Sequence, residues 1–322
     1  MSWRGLVDLL KKSFKKKQLG TDEKKLLEIQ PPEETFELFN QMRQKGLYLE
    51  IKEKLDEMNW QSIQDSEKFK LKLLMGKILV RRWRDFAKAS EIVNQVIIDL
   101  EWAAGFEIIK FDAQLELAWI LMLEGNYEDV LSALDGGTHF LGTIPKEQKT
   151  EIRLREGQLL ELKGSLYWSK REYDIALKFE RQALVAYKSI GFDEGIAESN
   201  YLIGHTLRSL SDFKKATKHF EQSLTINEQF GNKYRIIGNL MGIGLVYIDV
   251  GDIDSASKAF ERALIISQDI GYFEYLALGL QLMGSIYTKK GDVNRGTAYK
   301  RRSHIIYEKI GLELKSHLPL FY

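Results

Sequence analysis

The sequence predicts an all-α fold, a right-handed superhelical solenoid of about seven antiparallel helical hairpins, on three observations. Gly164, Gly204, Gly244 and Gly284 stand forty residues apart, and so do Gly191, Gly231, Gly271 and Gly311. Ala176, Ala216 and Ala256 follow the first ladder at a constant twelve residues, and Tyr173, Phe213, Ile253 and Val293 follow it at nine. Between the rungs, as from Ile236 to Gly271, apolar residues recur three and four apart in two runs broken at Gly251 and Asp252. That pattern is a helical hairpin.

Within one unit each of these residues has a mechanical reason. A glycine inside a helix costs about 1 kcal/mol relative to alanine, so Gly244 requires a compensating contact. Lacking a Cβ, it lets a second helix approach, with Ala256 as the small partner and Tyr247 and Phe260 filling the flanks. Gly251 is expected to end the first helix, Asp252 to cap the second, and Gly271 to be a left-handed stop.

These residues resemble the tetratricopeptide repeat (TPR) family, in which a first-helix glycine is followed by an aromatic three residues on, then by an alanine, a large aromatic and another small residue. The unit at Gly244 matches throughout, with Tyr247, Ala256, Phe260 and Ala263. The unit at Gly204 keeps Ala216, Phe220 and Ser223 but has Leu207 for the aromatic, and the unit at Gly164 keeps Tyr167, Ala176 and Ala183 while Phe179 comes one residue early. The unit at Gly284 keeps Tyr287 but has Gly296, Lys300 and Ser303 at the packing positions, so it reads as a terminal cap rather than a full hairpin. A period of forty exceeds the commoner value of about thirty-four and is similar to the long-helix branch of the family, which includes kinesin light chains.

From the N-terminus, residues 1–20 are expected to form a basic amphipathic helix. Trp3, Leu6, Val7, Leu10 and Phe14 make the apolar stripe, with Arg4, Lys11, Lys12, Lys15, Lys16 and Lys17 around it. Residues 1–17 carry six cations and one anion in a chain whose net charge is +1, so the remainder is net negative. Two readings stay open: a helix that meets an anionic membrane or partner through Trp3, Leu6, Leu10, Lys11, Phe14 and Lys15, or a helix that caps the first hairpin. Residues 21–32 read as a linker closed by Pro31 and Pro32. Residues 33–149 read as three degenerate hairpins, the first spanning Phe36 to Leu55 around Gly46. The second carries Phe86 and Ala89, and the third turns at Gly125 and Tyr127. Asp135-Gly136-Gly137 and Gly142 to Pro145 break the helical pattern, which places an insertion, either a longer loop or a hinge, near 135–145. Residues 150–311 hold four regular hairpins, and residues 312–322 form a cap or tail whose apolar end, Leu318 to Tyr322, is expected to dock.

The same residues exclude several chemistries. No cysteine is present, which removes disulfides, thiolate metal sites and a cysteine nucleophile and fits a reducing, cytoplasmic compartment. The five histidines make no helix pair at metal-ligand spacing, so no metal and no cofactor is expected. Gly242-Ile243-Gly244 lies in a helix and follows no predicted strand, so it is not a phosphate loop. The near-neutral charge argues against nucleic acid, and the clusters Arg81, Arg82, Arg84 and Lys300, Arg301, Arg302 read as helix-end decoration. The expectation is therefore a non-catalytic scaffold that binds a protein or peptide. The alternatives are a membrane-surface adaptor tethered by residues 1–17 and a regulatory sensor built on the same repeats.

The resemblance implies that the partner lies in the concave face made by first helices. The positions three before, one after and four after each ladder glycine give Trp168, Tyr201, His205, Arg208, Met241, Leu245, Ile248 and Gln281 as the binding set, with Glu161, Ser165, Ser285 and Thr288 at the same offsets. The co-chaperone branch grips a carboxylate with Lys and Asn at the first two offsets, and no unit here has that pair. The strip instead suits an amphipathic helix or an apolar peptide with an acidic flank. Its alternative is simple core, covered by the N-terminal helix or the tail ending at Tyr322.

Overall fold

The computed structural model describes residues 65–80 and 85–309. Among them are twelve α-helices in six successive pairs and no strand. The helix of 1–20, the linker of 21–32, the first hairpin of Phe36 to Leu55, the cluster at Arg81, Arg82 and Arg84 and the tail of 312–322 lie outside the described residues.

The described chain forms two compact units that divide between Asp212 and Phe213. The first holds α1 (Asp65–Ile78), α2 (Phe86–Leu100), α3 (Glu107–Glu124), α4 (Tyr127–Thr143), α5 (Lys149–Ser169), α6 (Tyr173–Ile190) and α7 (Asp193–Ser209). The second holds α8 (Phe213–Gln229), α9 (Lys233–Asp249), α10 (Ile253–Ile270), α11 (Phe273–Lys289) and α12 (Val293–Lys309). From α7 onward the helices are 17 or 18 residues long, which with short turns produces the forty-residue period.

The turns repeat one geometry. Gly251 and Gly291 take φ of +83° and +86°, and each donates its N–H back to the carbonyl three residues earlier, Ile248 and Thr288. Asp252 then caps α10 by accepting the Ser255 N–H at 3.0 Å, a bond that holds its carboxyl below the usual range. The positions forty and eighty residues earlier are not glycine: Arg171 and Ser211 both sit at φ +62°. Left-handed backbone costs a residue with a Cβ about 1–2 kcal/mol, partly offset by the smaller freedom it loses on folding. Arg171→Gly and Ser211→Gly are each expected to stabilise by about 0.5–1 kcal/mol. A denaturation midpoint that stays put or falls in both variants would show that these turns carry no strain.

The helix crossings explain the first ladder. A Cβ built on Gly244 would lie 2.5 Å from the Phe260 ring, and one on Gly242 would lie 2.7 Å from the Phe220 ring, so α9 is clasped between rings on α8 and α10. At the same ladder position a Cβ on Gly164 would lie 2.8 Å from Glu180 Cγ, and one on Gly284 would lie 2.7 Å from Lys300 Cγ. Where a polar residue takes the slot, the aromatic moves back by one. Phe179 stacks on Tyr167 with centroids 5.4 Å apart, and Tyr299 stacks on Tyr287 at 5.3 Å.

Two expectations need correction. The last pair is a full hairpin: α12 packs along α11, with Gly296 so close that its Cβ would touch the Gly284 carbonyl at 2.9 Å, and buried Ser303 donates to the Ala277 carbonyl at 2.7 Å. The missing side-chain bulk is made up by closer backbone approach. Nor does the helix break at Asp135-Gly136-Gly137, because α4 runs through to Thr143. The glycine pair lies against Gln114 and Leu115 of α3, each 3.0 Å from the Cβ that glycine lacks, and the irregular segment is confined to the connection before α5.

Candidate functional site

In the unit that ends at Asp212 the first helices α1, α3, α5 and α7 contact one another in succession. One polar bridge joins each neighbouring pair. Lys77 of α1 reaches Glu116 of α3 at 3.6 Å, Asp112 of α3 meets Arg155 of α5 at 3.2 Å, and Glu161 of α5 accepts the Ser199 hydroxyl of α7 at 3.0 Å. Arg155 is buried and also pairs with Glu151 one turn back, so its charge is compensated on both sides. Glu161 accepts a second bond, from the Tyr187 hydroxyl of α6 at 2.9 Å. Burial and this carboxylate both hold the Tyr187 phenol well above its ordinary pKa, so it stays a donor.

Of the expected binding set in this unit, Tyr201 and His205 are buried, with rings edge-to-face at 4.5 Å. Desolvation, helped by the like charge of Arg208, keeps the His205 imidazole neutral well below its usual range. Trp168 and Arg208, each four residues past a ladder glycine, remain half-buried, and the Trp168 ring lies 6.1 Å from that of Tyr173.

In the unit from Phe213 onward the core around Met241 and Leu245 is apolar and aromatic. Both side chains are buried with Tyr234, Tyr272, Tyr275 and Met283, while Ile248 and Gln281 are half-buried. The rings of Tyr234, Tyr272 and Tyr275 contact one another at 4.9–6.1 Å. The positions expected to touch a membrane or partner, Trp3, Leu6, Leu10, Lys11, Phe14 and Lys15, lie outside the described residues.

The polar bridges answer to no motif in the sequence, Glu161 alone standing at a groove offset. Their only trace is separation, Ser199 being 38 residues after Glu161 and Arg155 being 43 after Asp112, close to one period. Among the described residues no group of three or more histidines and carboxylates is placed to hold a metal ion, and no helix is long and apolar enough to cross a membrane.

Residues 197–230 and 238–269 match the family model of the tetratricopeptide repeat, in phase with the ladder at Gly204 and Gly244. Two tetratricopeptide repeats thus lie in this chain. No curated protein matches this chain by sequence. Solved structures do match its fold. BtubC from P. vanneervenii aligns with a TM-score of 0.58 and 19% identity, covering 73% of this chain and 94% of its own. A Rap protein complexed with competence and sporulation factor aligns with a TM-score of 0.59 and 15% identity over 90% of this chain and 91% of its own. The apo quorum sensor NprR from B. thuringiensis gives 0.54 and 19% over 76% and 66%. At such identities the likeness is one of fold.

Proposed function

We propose that this protein is a non-catalytic, cytoplasmic interaction scaffold that takes an extended or helical segment of a partner protein along the first-helix face of its repeats. The observation that carries the reading is the pair Trp168 and Arg208. They occupy the same repeat position on contacting helices α5 and α7 and keep part of their surface open, while Ser165, Tyr201 and His205 on those helices are buried. An aromatic and a guanidinium at equivalent positions of neighbouring repeats suit an apolar residue with an acidic neighbour. In the other unit Ile248 and Gln281 are the half-open members of the set, over buried Met241 and Leu245. The Rap complex with competence and sporulation factor supports the idea that such a fold accommodates a bound partner.

The test begins with capture of partners on the parent chain and their identification by mass spectrometry. The affinity of the captured partner is then measured for Trp168→Ala and Arg208→Glu. Each substitution is expected to cost about 1 kcal/mol or more, roughly fivefold, because anchors of these types dominate interfaces. If both variants melt like the parent and bind with its affinity, the face is not the binding surface.

A further inference from the structure

Among the described residues, Glu180 is the one carboxylate that occupies the aromatic slot of a repeat. Its Cγ lies against Gly164 where Phe260 lies against Gly244, and it is 1% exposed. One carboxylate oxygen accepts the Thr206 hydroxyl of α7 at 2.7 Å, and the other, Oε2, has no hydrogen-bond partner. A buried carboxylate with one oxygen unsatisfied is costly when ionised and far less so as the neutral acid. Two helices pack against α6. From α5 the contact is Gly164, which has no side chain, while Glu161 of that helix is engaged by Tyr187 and Ser199. From α7 the contact is Thr206, and the next residue, His205, is itself buried and neutral. The one cation that helps the charged form is Arg181, on α6 itself.

We propose that Glu180 makes the joint between α6 and α7 a proton-operated latch, closed when its carboxyl is protonated and loosened when it ionises. The inference is independent of the binding reading, since it concerns a buried contact rather than a surface. Burial, opposed by the Thr206 hydrogen bond and by Arg181, raises the carboxyl from 4.5 to about 7. Because the folded state holds the proton more tightly than the unfolded chain, the stabilisation is complete below pH 4.5. It is lost as pH rises through 7. His205 acts in the opposite sense, since its neutral folded form withdraws stability as pH falls below its ordinary titration. The difference between the parent and a Glu180 variant therefore isolates the latch.

The experiment is amide hydrogen exchange by mass spectrometry on the full chain at pH 5.5 and pH 8, corrected for intrinsic exchange, with Glu180→Gln as the permanently neutral isostere. Glu180→Phe, which restores the residue found at Phe220 and Phe260, is the second variant, and peptides of α9 and α10 are the internal reference. In the parent, α6 and α7 are expected to lose roughly tenfold or more protection between the two pH values relative to the reference, as a raised carboxyl requires. In both variants the loss is expected to shrink to less than about twofold. Equal losses in parent and variants overturn the latch. So does failure of both variants to fold, because a neutral occupant is the closed state.

Discussion

Gly244→Leu is expected to destabilise the unit from Phe213 onward by about 3 kcal/mol, the upper end of what overpacking costs. The Cβ alone would lie 2.5 Å from Phe260 Cε1 and 2.8 Å from Cζ, and Phe260 is fully buried, so the ring has no open side into which to turn. Gly242 closes the other flank, where the Phe220 ring already approaches to 2.7 Å of the missing Cβ, so α9 cannot slide away from the new side chain. For a unit of about a hundred residues each kcal/mol moves the melting temperature by roughly 4–8 °C. The transition of this unit should therefore fall by more than about 12 °C. An unchanged melting temperature would remove the packing explanation of the ladder.

Tyr187→Ala is expected to cost about 3–5 kcal/mol in the other unit, the range for deleting a buried aromatic. The ring is 1% exposed and lies between two glycines, Gly157 of α5 and Gly195 of α7, each of whose missing Cβ atoms would be 2.5 Å from it. Tyr187→Phe keeps the wedge and removes only the bond to Glu161, whose other oxygen still accepts from Ser199. It should cost about 1 kcal/mol. The ratio of the two effects is the measurement, read from chemical denaturation. If Phe costs as much as Ala, the hydroxyl rather than the ring holds the three helices together.

The parts of the fold legible in the sequence were those tied to backbone geometry. Gly251, Asp252 and Gly271 end, cap and stop helices wherever they occur, and the structure puts each at its expected station. A glycine outside the ladder is ambiguous, because the same residue marks a turn or a close approach. Asp135-Gly136-Gly137 looked like a break and is a crossing point, whereas Gly157 and Gly195 gave no signal until Tyr187 was seen between them. The candidate site was legible in register only. Counting from the ladder glycines finds Trp168 and Arg208, but whether Tyr201, His205, Met241 and Leu245 at neighbouring offsets are open or buried depends on how closely helices pack, which a period does not encode. The bridges from Asp112 to Arg155 and from Glu161 to Ser199 depend on the same packing and were invisible for the same reason.

The aromatic slot also bears on whether these repeats can be shuffled. The hydroxyl that meets Glu180 sits two residues past Gly204, and the residues two past Gly244 and Gly284 are Val246 and Ile286. A module cut out with Glu180 and spliced ahead of α9 or α11 would offer its carboxyl to an alkyl group, while a module bearing Phe220 or Phe260 placed ahead of α7 would leave the Thr206 hydroxyl without its acceptor. Neighbours are thus keyed to one another, acid to hydroxyl and ring to alkyl, so the modules share a backbone period without being interchangeable parts.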